Sequence, residues 1–325
     1  MIVAFAFLIV FIILKKIILP KHAAAATNQQ NRNKLLKNIR NLKAALEKDP
    51  QDTEAHYLLG KAYLADNRDE QAFREYRSAN RLGISGKDIP EAEFRETLAS
   101  LYAKFHEEEE ALKEYVLLIK NHPENADYYY QAGKLFSGRN RADLAEQYLR
   151  KAASLSPKER LYRFDLGMHY YLNKRIKEAG AEFEAALRIN PTDGQILLYM
   201  GKIFKDSKEY ANAIPYLEKA GRDQEYKLRA LVELGSCYMS LKTLDKAVLE
   251  LERAVSGIEN EADPDGLYAR YFLAMCFEKQ QEFTKAIAQW DKIYAQKKNF
   301  RDVGEKLTQY IDYREEAEKE PPKKS

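Results

Sequence analysis

Few of the 325 residues stand in arrangements that chemistry requires. Gly83-Ile84-Ser85-Gly86-Lys87-Asp88 has some residue types of a phosphate-binding loop, but its glycine spacing is wrong and no hydroxyl follows the lysine. No Gly-x-Gly-x-x-Gly, His-Glu-x-x-His or Gly-x-Ser-x-Gly occurs. Asp263-Pro264-Asp265-Gly266 offers two carboxylates and a glycine, as a calcium loop does. It lacks the third carboxylate and the closing Glu, and reads as a turn. Two cysteines can form neither a four-thiolate zinc site nor a disulfide framework. His22 lies near the N-terminus, and His56, His106 and His122 fall near expected helix ends. Glu107 to Glu110 is a charge run of the kind that is solvated at a helix–helix turn. No catalytic residue, metal ligand or cofactor-binding residue is therefore expected, and the chain reads as a non-enzyme.

Composition narrows the remaining classes. Hydrophobic residues make up 45% and charged ones 32%, which excludes a disordered chain and a polytopic membrane protein. Only 14 Gly and 10 Pro argue against a loop-rich β protein. The charge is uneven. Residues 15–50 carry nine Lys or Arg against Glu47 and Asp49, a net +7. Residues 51–325 carry 44 basic and 48 acidic groups, a net −4, so the body is a poor nucleic-acid binder.

The first twenty residues form a separate device. Ile2 to Leu14 has no polar side chain, with Ile2, Phe5, Phe7, Leu8, Phe11 and Leu14 among the residues expected to contact lipid. Lys15 and Lys16 interrupt the run before Ile17-Ile18-Leu19-Pro20. Counted to Leu19, the helix would span about 27 Å, enough if the lysines snorkel to headgroups. Two readings stand. One is an uncleaved single-pass anchor whose basic flank keeps the body cytoplasmic. The other is a signal peptide cleaved near Ala23-Ala24-Ala25-Ala26, leaving a secreted or periplasmic body. The positive charges follow the apolar run rather than precede it, which favours the anchor. The basic segment 21–33 is expected as a linker drawn to anionic lipid.

The body repeats itself. Leu59-Gly60, Tyr63, Ala72, Tyr76 and Ala79 return as Leu98-Ala99, Tyr102, Ala111, Tyr115 and Leu118. They return again as Ala132-Gly133, Phe136, Ala145, Leu149 and Ala152, then as Leu166-Gly167, Tyr170, Ala179, Phe183 and Ala186. Met200-Gly201, Phe204, Ala213, Leu217 and Ala220 follow, then Leu234-Gly235, Tyr238, Ala247, Leu251 and Ala254. The seventh unit is Leu273-Ala274, Phe277, Ala286, Trp290 and Ile293. Unit starts near 53, 92, 126, 160, 194, 228 and 267 give four intervals of 34 residues and two of 39. Within each unit the apolar residues recur at helical spacing, which predicts two short amphipathic helices. Small residues allow the pair to cross closely, with large side chains filling the grooves. Pro123, Pro157 and Pro191 end units, and Pro215 is expected early in a second helix, where a missing N–H costs little. His169, Cys237 and Cys276 share one packing position, so the histidine and both thiols read as core residues.

This pattern resembles the tetratricopeptide repeat family over residues 53–298. The resemblance implies an all-α, right-handed α-solenoid of about seven helix-turn-helix repeats, here behind an N-terminal transmembrane or signal-anchor helix. The expected organisation is a membrane segment 1–20, a basic linker 21–33, a capping helix 34–52, repeats 53–298, a C-terminal capping helix 299–318 and a disordered tail 319–325. Leu35, Leu36, Ile39, Leu42, Ala45 and Leu46 mark the first cap, and Val303, Leu307, Tyr310 and Ile311 the second. In this family the first helices line a concave face that binds peptides or helices of other proteins. Carried over position by position, that face is Tyr57, Lys61, Leu64, Tyr130, Lys134, Phe164, Met168, Tyr171, Leu198, Lys202, Lys205, Val232, Met239, Tyr268, Tyr271 and Met275. About half of these are expected only to pack between helices. Aromatic and Met side chains give contact area at low entropic cost, and lysines among them favour an acidic partner. The family's carboxylate clamp pairs Lys with Asn, whereas Tyr57 accompanies Lys61 and Tyr130 accompanies Lys134 here.

The expected function is a membrane-tethered scaffold for a multiprotein assembly, its partners being other proteins and, through the N-terminus, the bilayer, with no nucleic acid. By analogy of fold, an envelope machine such as a flagellar motor or secretion apparatus is a plausible host. A secreted or periplasmic assembly module and a regulatory subunit of an enzyme complex are the alternatives.

Overall fold

Burying one apolar stripe on each short helix requires pairing, and the helices between the first and the last come two by two along the chain. The computed structural model describes residues 19–84, 88–311 and 313. Among the described residues there are sixteen helices and no strands. A long helix α1, Leu19–Lys48, is followed by seven pairs. These are α2 (Thr53–Ala65) with α3 (Asp69–Leu82), α4 (Glu91–Lys104) with α5 (Glu108–Asn121), and α6 (Ala126–Gly138) with α7 (Ala142–Leu155). Then come α8 (Arg160–Leu172) with α9 (Ile176–Ile189), α10 (Gly194–Asp206) with α11 (Tyr210–Ala220), α12 (Lys227–Ser240) with α13 (Leu244–Ser256), and α14 (Pro264–Lys279) with α15 (Phe283–Gln296). The short helix α16, Val303–Gln309, ends the series. The chain divides into two compact units between Tyr148 and Leu149, inside α7.

Close crossing within a pair depends on the small residue of its first helix. A Cβ on Gly60 would lie 2.7 Å from the Tyr76 ring, and one on Gly167 would lie 2.5 Å from Phe183. At Gly201 and Gly235 it would meet Leu217 and Leu251, both at 2.4 Å. These partners are all fully buried. Several first helices start on a side-chain cap. Asp52, Asp193 and Asp263 accept from the N–H groups of Ala55, Ile196 and Gly266, satisfying amides that the helix leaves free.

The turn inside each pair has a second regularity that the sequence does not show. Asn67, His106, Asn140, Lys174, Lys208, Lys242 and Gln281 all have positive φ, between 56° and 64°. Their intervals repeat the pattern of unit starts. The following N–H reaches back to the carbonyl of the aromatic that recurs in each repeat, as from Arg68 to Tyr63 at 2.9 Å, Glu209 to Phe204 at 2.8 Å and Glu282 to Phe277 at 2.9 Å. Each first helix thus ends in a Schellman motif, whose left-handed position usually holds glycine. None is glycine here.

In the first unit, Ile39 of α1 packs with Leu59, Ala62, Tyr63 and Ala72, as expected of a cap. The helix nevertheless extends back through residues 21–33, the segment read as a linker, where four successive alanines favour helix. The anchor residues Ile2, Phe5, Phe7, Leu8, Phe11, Leu14, Lys15 and Lys16, and the tail 319–325, lie outside the described residues. Among the described residues no helix is long and apolar enough to cross a membrane. In the second unit, Val303, Leu307 and Tyr310 close the last core, with Tyr310 stacked 5.7 Å from Trp290. Ile311 does not join them. It is exposed. Pro215 is also placed differently from expectation. It is the sixth residue of α11, beyond the first turn, so no N–H is available there for the Ala211 carbonyl. The Glu107–Glu110 run is partly tied down by ion pairs of Glu107 to Arg77, Glu109 to Arg139 and Glu110 to Lys113.

Glycine should therefore act in opposite directions at two places. Lys174→Gly, Lys208→Gly and Lys242→Gly are each expected to stabilise by about 0.5–1 kcal/mol, by relieving left-handed backbone. Gly201→Ala is expected to destabilise by about 1–3 kcal/mol through overpacking against Leu217. Urea unfolding of the four variants measures both signs.

Candidate functional site

The expected groove residues separate by unit. In the first, Tyr57 is buried between Tyr76 and Phe94, each 6.0 Å away centre to centre. Lys61 lies over the Tyr57 ring at 5.2 Å, donates to its hydroxyl at 3.2 Å and to Glu93 at 2.7 Å. Glu93, then Tyr57, hold the Lys61 ammonium above the usual lysine range. Lys134 covers buried Tyr130 at 5.3 Å, and Leu64 is half-buried. In the second unit, Phe164 is buried against Phe183 and Tyr199, both 5.8 Å away. Tyr171 is half-buried and donates to Asp206 at 2.7 Å; burial and that carboxylate raise its hydroxyl pKa. Met168, Met239 and Met275 are half-buried, while Leu198, Val232 and Tyr271 are buried. Six of the sixteen, Tyr57, Tyr130, Phe164, Leu198, Val232 and Tyr271, are thus core residues first.

Five of the expected residues do meet around one hollow of about 400 Å³: Leu198, Lys202, Lys205, Val232 and Tyr268. It is lined by α10, α12 and α14, three successive first helices of the second unit, and by Arg301 just before α16. Sequence reasoning missed six further lining residues: Tyr199, Arg229, Glu233, Asp265, Phe272 and Arg301. Tyr199, Glu233 and Phe272 fall at one unit position, adjacent to that of Leu198, Val232 and Tyr271. Arg229 falls at the position from which Tyr268 was chosen. The inner face of each helix is wider than the three positions carried over from the resemblance, and the i, i+3, i+4, i+7 rule would have included these. Arg301 comes from a connecting turn and had no periodic signal.

Charge in the hollow is unbalanced. Glu233 takes Lys205 in a close ion pair and stands 3.7 Å from Lys202. Asp265 accepts from Arg229 Nε at 2.6 Å. Arg301 lies over Tyr268 at 5.1 Å and Tyr271 at 5.0 Å, without a carboxylate partner among the described residues. Four cations therefore face two carboxylates above an aromatic floor. Lys202 also lies over Tyr199 at 5.6 Å. Such a surface can attract and orient an anionic group and offers apolar area beside it.

The other chemical candidates are structural. His169 is buried. Cys237 and Cys276 are fully buried, and desolvation pushes their thiols up to about 12 and about 11. Among the described residues no group of three or more His, Cys, Asp or Glu is placed to hold a metal ion.

With this geometry in view, the model of the tetratricopeptide repeat matches residues 24–86, 130–194, 200–266 and 258–301, more than half of the chain. The chain belongs to the tetratricopeptide repeat family. It is similar to anaphase-promoting complex subunit 3 of Schizosaccharomyces pombe, 25% identical over 178 residues, which cover 55% of this chain and 27% of that protein. The chain thus spans about a quarter of the length of that curated relative. A tetratricopeptide repeat protein from Parabacteroides merdae superposes with a TM-score of 0.55 at 14% identity, covering 79% of this chain and 98% of that one. The Cut9–Hcn1 hetero-tetramer of the APC/C gives 0.52 at 16% identity, covering 85% and 52%. At these identities the structural likeness speaks for the fold alone. This tetratricopeptide repeat chain shares with them an all-α repeat architecture.

Both thiols are expected to resist a disulfide reagent at pH 8 in the native state and to react at once in denaturant. The sign with pH follows from burial. Each folded-state thiol pKa lies above the ordinary 9.0, so stability is full below pH 9 and falls as pH rises toward 11–12. Thiol titration and alkaline unfolding measure the two effects.

Proposed function

We propose that this protein is a non-enzymatic scaffold, tethered to a membrane by its N-terminal segment, that holds partner proteins through the second unit's groove. The observation that carries this is the excess of cations over carboxylates at Lys202, Lys205, Arg229 and Arg301, set on Tyr199, Tyr268 and Phe272. A peptide or helix segment bearing carboxylates suits that surface, since each carboxylate could take an uncompensated charge while its neighbours cover the rings. Similarity to a subunit of the anaphase-promoting complex supports a role inside a multiprotein assembly. The tether rests on the apolar run Ile2–Leu14 and the lysines after it, with the repeat units in the cytoplasm.

Affinity capture of the full chain from native membranes, with crosslinking and N-terminal peptide mapping, tests both parts. One recurrent partner set is expected, lost by at least about tenfold in the K202A/R229A/R301A variant. A partner set unchanged by that variant overturns the groove assignment. A chain beginning near Ala26 or Thr27 in a soluble envelope fraction overturns the tether.

A further inference from the structure

The first unit holds a second charged hollow, built from residues that the groove does not use. It is an open pocket of about 680 Å³ lined by α3 and the C-terminal end of α4. Arg74, Arg77 and Arg81 stand at i, i+3 and i+7 on α3, so their guanidinium groups share one helix face over about 10 Å. All three side chains are exposed. Arg77 lies over the Phe73 ring at 5.3 Å and donates to Glu107 at 2.9 Å. Arg74 and Arg81 have no carboxylate partner among the described residues.

The floor is aromatic and rigid. Phe73 stacks on Phe105 at 4.8 Å with the rings 7° from parallel, and meets Tyr102 edge-on at 5.3 Å. This packing sits where the repeat interval lengthens to 39 residues, and α3 packs on α4 less extensively than α5 does on α6. A row of arginines on a helix is ordinarily a solvated face. Here the row borders Phe105, a half-buried ring stacked on the buried Phe73.

We propose that this hollow is a docking site for an acidic amphipathic helix of a partner protein. Carboxylates one helical turn apart on the incoming helix match the arginine spacing, and each guanidinium can take a carboxylate through two parallel N–H groups. An apolar side chain between the carboxylates covers the open part of Phe105. The surroundings select against a continuous polyanion. Glu70 lines the same pocket and Glu107 already takes Arg77, so the surplus of positive charge is short and local, enough for a few carboxylates but not for the many contacts a nucleic-acid backbone needs.

The test is fluorescence anisotropy with the full chain in mild detergent. The probes are a labelled helical peptide with Glu at i, i+3 and i+7 around a central Leu, its charge-reversed Lys counterpart, and a single-stranded oligonucleotide. The acidic peptide is expected to bind best, and R74A/R77A/R81A to weaken it at least about tenfold. R74K/R77K/R81K should fall between, because lysine keeps the charge and loses the planar fork. Because the groove of the second unit also suits carboxylates, the titrations are repeated in the K202A/R229A/R301A background, where the acidic peptide should still bind and R74A/R77A/R81A should still weaken it at least about tenfold. The arginines are exposed, so thermal unfolding of each variant should match the parent. In the K202A/R229A/R301A background, no binding of the acidic peptide, no weakening by the arginine-to-alanine substitutions, or tighter binding of the oligonucleotide would each overturn the assignment.

Discussion

The distance between paired helices depends on a missing atom. Where Gly60, Gly167, Gly201 and Gly235 face Tyr76, Phe183, Leu217 and Leu251, a Cβ would intrude to within 2.4–2.7 Å of a fully buried side chain. The second helix therefore sinks one large side chain onto the backbone of the first. That contact buries the apolar stripe of the second helix and fixes the crossing. It also leaves the opposite face of the first helix turned away from its own partner. In α10, α12 and α14 that face carries Lys202, Arg229, Glu233 and Asp265, which can be charged because they take no part in the pair's core.

The turn supports the same geometry from the other side. The aromatic of each first helix, such as Tyr63 or Phe204, gives its ring to packing and its carbonyl to the N–H five residues on. Position 67 and its equivalents must then be left-handed whatever residue occupies them. Asparagine tolerates this, whereas Lys174, Lys208, Lys242 and Gln281 are held there by the hydrogen bonds and packing on both sides.

The architecture was legible because its determinants are residue types at fixed spacing. The pairs Leu59-Gly60 and Met200-Gly201, the alanines of the second helices and the unit-ending prolines each state a packing requirement that few other residues meet. The left-handed turns were not legible, since lysine and glutamine give no sign of backbone conformation. The groove was half legible. Lys202, Lys205 and Tyr268 followed from position, but Arg229, Glu233 and Asp265 have meaning only as pairs across helices 28 to 36 residues apart. Tyr57 and Phe164 had the right spacing and the wrong exposure, because an aromatic at that position serves the interior as readily as a ligand.

The second long interval shows how an insertion becomes part of a fold. Arg270, only 3% exposed, donates to both oxygens of Glu261 and to Gln289 of α15. One buried guanidinium thus joins the longer connector to the next pair, and Glu261 satisfies a charge that α14 would otherwise bury alone. The cations of the hollow differ in kind. Arg301, over Tyr268 and Tyr271, lacks a carboxylate of its own among the described residues, and Lys202 only approaches one already paired to Lys205. A repeat body with a net charge of −4 therefore keeps a local surplus of positive charge at the second unit's groove. Its pairing is incomplete where half-buried rings lie beside it, and complete where, as at Arg270, the charge is enclosed. That contrast separates charge that holds the chain together from charge left unneutralised at the surface.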